Sequence, residues 1–402
     1  MSQYNTEIQE DTFHKTDMKR ILLVGEYSGV FTELSKELKK RKDLDVFTVN
    51  DGDGYKNYPT DLHVEYKKYK HNFISKVIYH ISFRLGFLRF FDFLSKWSTL
   101  KKSLSGYDVV QIINPVMFSE WGAIPNLIIL RYLKKHNDSV FLSVLGFDYY
   151  ELKYNRIHNN TSGFYTPHFR DYITPGYVWK YKYCFLYKFL NDYAIRISKK
   201  IIPGLLPYKQ CYDWTGKTTN LIPFPIDESL LGKPLKVDTS KPIMIFHGWQ
   251  KGKESFKGND VFDRVIGKVV DKYGDKVNYR IVQGVTYDEY IKLYNDCHIF
   301  IDQLYFPDKG FNAVLGMAKG KVVFSGFSVE ALRAYPDYSG KEIGINAYND
   351  EQYLFEQFCN LIDNPHRIEQ ISGNAIEFVR NNHLSKLVAD MYLYIWFETT
   401  GE

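Results

Sequence analysis

Along most of the chain, short apolar runs bounded by turn residues alternate with stretches whose apolar positions recur at helical spacing. The stretch "RILLVGEYSGVFTELSKELKKRKDLDVFTVN" (20–50) sets the pattern: a buried strand over Ile21 to Val24, a Gly/Ser turn, an amphipathic helix through Lys40 and a second strand over Val46 to Val49. Strands are predicted next at 108–114 and 140–146, with a helix over 121–136 between them, and at 199–204. The alternation then restarts with strands at 243–248, 278–284, 298–304 and 321–326. Helices are predicted at 259–273, 286–297, 311–319 and 350–362, with a longer one from 366 to the end. Alternation of this kind predicts an α/β fold with parallel sheets covered by helices.

The break between the two runs is chemical as well as periodic. Residues 222–242 hold four prolines and little periodicity, which suits a linker. With 402 residues and 45% apolar composition, the chain exceeds what one core usually serves. The expected organisation is a polar extension (1–18), a first Rossmann-like domain (19–225), a linker (226–242), a second Rossmann-like domain (243–375) and a C-terminal helix (376–402) packing back on the first domain. Two such domains face a cleft at the carboxyl ends of their strands, so the loops after strands are where chemistry is expected.

Charge changes this picture little. Lys plus Arg exceeds Asp plus Glu by five, too slight an excess for wholesale nucleic-acid binding. The four cysteines are scattered with no metal-ligand spacing, so no metal site is expected and reduced, buried thiols are. The first twenty residues lack the apolar core of a signal peptide, and no run of 18 apolar residues exists, so a cytoplasmic protein is expected. Aromatics reach 17% and concentrate among cations at 67–102 and 177–200. Such segments are either an interface with anionic lipid or core-facing helices with basic outer faces.

Several strand-end loops carry candidate chemistry. In "HGWQKGKESFKGND" (247–260), Gly248 ends a strand and Lys251, Lys253 and Lys257 precede a helix starting near Gly258. Lysines converging on a glycine-rich helix start bind anions, because free amides and the helix dipole favour a phosphate there; the alternative is a solvated basic loop. Gln283 closes the following strand and is grouped with this site. The turn "GEYSGVF" (25–31) allows close approach of a substrate at Ser28 and Gly29, or is a plain tight turn. "DGDGYKNY" (51–58) reads as a cleft-rim loop able to meet the acceptor. Asp148, in "LGFDYY", stands after an apolar strand, where a carboxylate binds hydroxyls or takes a proton, or else caps the next helix. In "DQLYFPDKGFNAVLGMAKGKVV" (302–323), Asp302 and Gln303 end a strand. Gly310 then turns the chain, and the helix from Phe311 and Asn312 aims its free amides at the cleft, where a diphosphate would suit.

With these loops the chain resembles GT-B-fold glycosyltransferases of the family 4-like group, and more narrowly a bacterial subgroup tied to surface polysaccharide assembly. The resemblance implies two facing Rossmann-like domains. It also implies a nucleotide-diphosphate sugar donor in the second domain, a lipid-linked or glycan acceptor in the first, and a metal-independent transfer without a cofactor. In the family a basic pair holds the donor diphosphate; the matching residues are Lys257 and Lys251. Aligning "AVLGMAKGK" with the family pattern puts Leu315 and Pro307 where two glutamates belong, with Asp308 adjacent as a substitute. Catalysis is expected to involve Lys257 and Asp148. Donor contacts are expected from Gly29, Gly248, Lys251, Lys257, Gly258, Gln283, Asp308, Gly310, Phe311 and Asn312. The two absent glutamates leave a second reading: a non-catalytic nucleotide- or glycan-binding protein that kept the fold.

Overall fold

A computed structural model of the chain describes residues 18–53, 56–67, 73–158, 176–249, 257–282 and 293–398. Of the expected site residues, Lys251 and Gln283 lie outside them, as does Lys253 of the same loop.

The first half is a five-stranded parallel sheet made of β1 (Lys19–Val24), β2 (Leu44–Asn50), β3 (Leu62–His63), β4 (Val109–Ile112) and β5 (Ser139–Leu142), in the order β3-β2-β1-β4-β5. Its helices are α1 (Val30–Leu38), α2 (Phe73–Arg84), α3 (Phe90–Leu100), α4 (Ala123–His136), α5 (Tyr149–His158), α6 (Gly176–Tyr183), α7 (Phe185–Ile197) and α8 (Leu206–Tyr212). Strand β1 is apolar on both faces because both are covered. Ile21 and Leu23 face a core shared with Phe31 and Leu34 of α1, while Leu22 and Val24 face Phe93, Trp121 and Leu130.

The second half repeats the plan with β6 (Ile243–Gly248), β7 (Val277–Val282), β8 (Ile299–Ile301), β9 (Val322–Ser325) and β10 (Ile345–Asn346), all parallel, in the order β10-β9-β8-β6-β7. Around this sheet are α9 (Asn259–Tyr273), α10 (Phe311–Ala318), α11 (Val329–Arg333), α12 (Glu351–Asp363), α13 (Pro365–Asn382) and α14 (Ser385–Leu393). In each sheet the order reverses beside its first strand, between β1 and β4 and between β6 and β8. Ligands of open α/β sheets bind outside such reversals, where the loops diverge and leave a crevice.

The end of the chain returns to the first half. Trp396 Nε1 donates to Gln111 Oε1 on β4 at 2.9 Å, and Arg41 pairs with Asp390 at 2.5 Å. Two expectations differ from the structure. The segment 199–204 is no full strand: only Ile201 makes bridges, to Leu142 and Thr218, because Pro203 has no amide to extend the ladder. The long terminal helix is broken between α13 and α14, where Ile226 donates to the His383 carbonyl at 2.7 Å and accepts from Ser385 N at 2.9 Å.

Candidate functional site

Strand β6 ends at Gly248 and β8 hands over to Asp302, so the loops leaving these two strands meet over the second reversal. Lys257 Nζ lies 3.0 Å from Asp302 Oδ1, and Asp302 Oδ2 accepts from Ser325 Oγ at 2.9 Å. Backbone ties fix the pair, because Leu304 N donates to the Lys257 carbonyl at 2.9 Å. Gly258, with φ +67°, packs so closely on Leu304 that an added Cβ would sit 2.6 Å from that residue's Cβ. A side chain at 258 is therefore opposed by both backbone conformation and space. Gly258 caps α9 and Gly310 caps α10, neither with a side-chain bond, and Val261 N turns back to the Gly258 carbonyl at 3.1 Å; among the described residues the Asn259 and Asp260 amides of α9 and the Phe311 and Asn312 amides of α10 are left for water or a ligand. Beyond Gly310 an added Cβ would meet only the Gln303 amide, 4.0 Å away. The Phe311 ring lies tilted against Phe224 of the first half, with ring centroids 6.1 Å apart, and Asn312 is exposed.

His247, one residue before Gly248, is fully buried. Its Nδ1 lies 2.7 Å from Tyr279 Oη, whose hydroxyl reaches Asp263 Oδ1 at 3.1 Å. Burial holds its pKa down at about 4, so the ring is neutral. Asn259, first residue of α9, is close enough to bear on that ionisation, yet among the described residues its amide atoms and His247 Nε2 have no partner with ordinary hydrogen-bond geometry.

Asp308 and Lys309 belong to a different environment from the one expected for a donor contact. Both are fully buried. Asp308 Oδ2 accepts from Leu206 N of the first half at 3.2 Å, while Oδ1 accepts from Lys309 N at 2.8 Å and pairs with Lys309 Nζ at 3.3 Å. Lys309 Nζ sits 3.7 Å from the Tyr335 ring centroid. The carboxylate beside the missing glutamate position thus ties Leu206 of the first half to Lys309 of the second.

In the first half, Gly29 caps α1 with φ +93°. The amides there are engaged from within: Glu26 Oε1 accepts from Gly29 N at 3.0 Å and Phe31 N at 3.4 Å, and Oε2 from Thr32 N at 2.7 Å. Tyr58 lies against Gly29, 3.0 Å from where a Cβ would stand. Ser28 N donates to Asp53 Oδ2 at 2.9 Å, and Asp53 pairs with Lys56 at 2.7 Å, so the rim loop after β2 is laced to the turn after β1. Asp148 caps α5: its Oδ1 accepts from Tyr150 N at 2.8 Å and Glu151 N at 2.9 Å, and its Oδ2 from the Tyr212 hydroxyl at 2.6 Å. Burial raises its pKa to about 6. Lys257 and Gly258 are therefore brought together with Gly248's strand and with Asp302. Gly310, Phe311 and Asn312 form the neighbouring helix start, while Gly29, Asp148 and Asp308 are each held by internal partners.

Burial also raises Glu26 from 4.5 to about 7. A carboxyl whose folded pKa is raised favours folding when protonated. The penalty for its ionisation is full above about pH 7 and vanishes below the unfolded value of 4.5. Glu26→Gln carries no such penalty. Wild type should therefore gain about 3 kcal/mol relative to this variant between pH 8 and pH 4.5 in urea unfolding. A constant difference between the two proteins would contradict the shift.

Asp302 was not among the residues the loop motifs singled out for donor binding. The signal was present, since a carboxylate at the end of an apolar strand is the same feature that draws attention to Asp148.

No family model matches this sequence, and no curated protein does. Solved structures do. HepE from Anabaena in complex with UDP and glucose is 10% identical with a TM-score of 0.55, covering 94% of this chain and 99% of that one. Sucrose-phosphate synthase from Thermosynechococcus elongatus is 13% identical with a TM-score of 0.57, covering 95% and 99%. UDP-GlcNAc 2-epimerase from Neisseria meningitidis bound to UDP-GlcNAc is 11% identical with a TM-score of 0.51, covering 95% and 100%. Likeness at these identities is a likeness of fold, and over nearly its whole length this chain has the GT-B fold, two facing α/β domains.

Proposed function

We propose that this chain is a glycosyltransferase that moves a sugar from a nucleotide-diphosphate donor to a lipid-linked or glycan acceptor in bacterial surface-polysaccharide synthesis. The observation that carries the reading is the pairing of Lys257 with Asp302 at the uncapped start of α9, with Gln303, next to Asp302, lying against Gly310 at the start of α10. Support also comes from structural neighbours solved with UDP and glucose or with UDP-glucose. The donor diphosphate would lie against Lys257 and the first turns of α9 and α10. When the anomeric carbon–oxygen bond breaks, negative charge grows on the leaving diphosphate, and a fixed cation and aligned amides stabilise it without reorganising. The acceptor hydroxyl comes from the first half. There Asp148 acts as a positioning residue, because both its oxygens already hold α5 and α8. No metal or cofactor enters this reading; the nucleotide sugar is substrate. Thermal shift over UDP-, GDP-, ADP- and dTDP-sugars tests it, because a ligand that binds only the folded chain raises its midpoint. If none of them did, the donor reading would fail.

A second reading, a nucleotide- or glycan-binding protein without turnover, is favoured by one observation: Pro307 and Leu315 stand where the resembling family has carboxylates. Donor binding without release of nucleoside diphosphate would select it.

The first half has a face that fits an anionic membrane surface. Exposed apolar residues stand on α2 (Phe73, Ile78, Ile81), on α3 (Phe91) and on α7 (Phe185, Phe189), with exposed Lys188 on α7 and exposed Lys101 and Lys102 directly after α3. An added Cβ at Gly86 would meet Leu186 at 3.3 Å, so the turn between α2 and α3 lies against the start of α7. Among the described residues no helix is long and apolar enough to cross a membrane. Peripheral contact, with rings at headgroup depth and lysines near anionic lipid, is what this face supports. Phe91→Glu combined with Phe185→Glu should cut co-sedimentation with phosphatidylglycerol vesicles about tenfold or more. Equal sedimentation with zwitterionic vesicles, or none by wild type, would contradict it.

A further inference from the structure

The carboxylate facing Lys257 has a consequence beyond donor binding as such. A site built to hold a diphosphate would be strongest as a lone cation among helix amides, yet here the ammonium is already matched by Asp302 at 3.0 Å. Asp302 is only 4% exposed, whereas 22% of the Lys257 side chain is accessible. The two partners of Asp302 therefore differ. Ser325 is fully buried on β9 and stays, while the Lys257 ammonium is the one an incoming ligand reaches. Neither backbone gives way, because the Leu304 amide is bonded to the Lys257 carbonyl and Gly258 packs on Leu304.

We propose that Asp302 is a specificity-determining residue of this site. It offsets the charge of Lys257, so that bare anions are turned away from that ammonium and a diphosphate ester that also brings hydroxyl groups is favoured. The inference rests on the donor reading of Lys257. A phosphate that draws the ammonium toward itself leaves Asp302 Oδ1 one donor short, and a buried carboxylate left unpaired is costly. It also places phosphate oxygens beside a like charge. Inorganic pyrophosphate has little with which to offset either effect. The ribose or sugar hydroxyls of a nucleotide sugar donate to the carboxylate and restore its hydrogen bond.

The test is calorimetric titration of wild type, Asp302→Asn, Lys257→Ala and the double variant with inorganic pyrophosphate and with UDP-glucose. Asp302→Asn should tighten pyrophosphate about tenfold and UDP-glucose by clearly less. Lys257→Ala should erase the gain in the double variant. Asp302→Ser, neutral and smaller, carries the same expectation if the asparagine variant folds poorly, and Asp302→Glu should behave as wild type. Unchanged pyrophosphate affinity in both neutral variants, or equal tightening of both ligands, would overturn the proposal. Wild type and all variants failing to bind UDP-glucose, while pyrophosphate still tightens tenfold through Lys257, would uphold the charge offset and count against the donor reading instead.

Discussion

Lys257→Ala is expected to lower affinity for the donor nucleotide sugar by about 10- to 100-fold, measured calorimetrically at a temperature where the variant is folded. A hydrogen bond from a charged donor to phosphate contributes about 1.5–3 kcal/mol, and each 1.4 kcal/mol is a factor of ten. The loss exceeds that of an ordinary surface lysine, because Lys257 stands one residue before the uncapped start of α9 and its ammonium is fixed beside Asp302 at the end of β8. Removing the ammonium also leaves the Asp302 carboxylate with the Ser325 hydroxyl and turns a like charge toward the ligand, which pushes affinity down further. Unaltered affinity would remove the phosphate from this position.

Asp308→Asn is expected to cost about 3–5 kcal/mol of stability in urea unfolding, the range for breaking a buried ion pair from one side. Lys309 would then be a buried ammonium with aromatic rings but no carboxylate, and Leu206 N of the first half would lose its charged acceptor. The double variant Asp308→Asn, Lys309→Met should recover most of the loss, since it removes the stranded charge and keeps an unbranched apolar chain under Tyr335. Donor affinity should change little in either variant. A variant of unchanged stability that loses donor affinity would instead return Asp308 to the donor site as a substitute for the missing glutamate.

The β/α alternation was legible because both sheets are buried on both faces, which turns strands into unbroken apolar runs such as "ILLV" and "VVFS". Where local pattern misled, a distant partner decided. Helical spacing continues through 366–393, yet the chain breaks at His383, whose carbonyl accepts from the Ile226 amide. The candidate site was half legible for the same reason. A lysine before a glycine-led helix is a local signal, and Lys257 was found by it. That its counter-ion is Asp302, 45 residues away, depends on which strands become neighbours. Asp148 and Asp308 carry the same strand-end or loop signature, but tertiary contacts give them other work: Tyr212 and two amides for one, Leu206 and Lys309 for the other.

The most direct test of the central claim is release of nucleoside diphosphate from UDP-, GDP-, ADP- and dTDP-sugars, followed with a bacterial membrane extract as acceptor source. The account predicts that one donor is consumed with its sugar transferred to extractable lipid or glycan, and that Lys257→Ala abolishes the release. Donor that binds but is neither cleaved nor altered, or that returns as an epimer with its diphosphate intact, would contradict it.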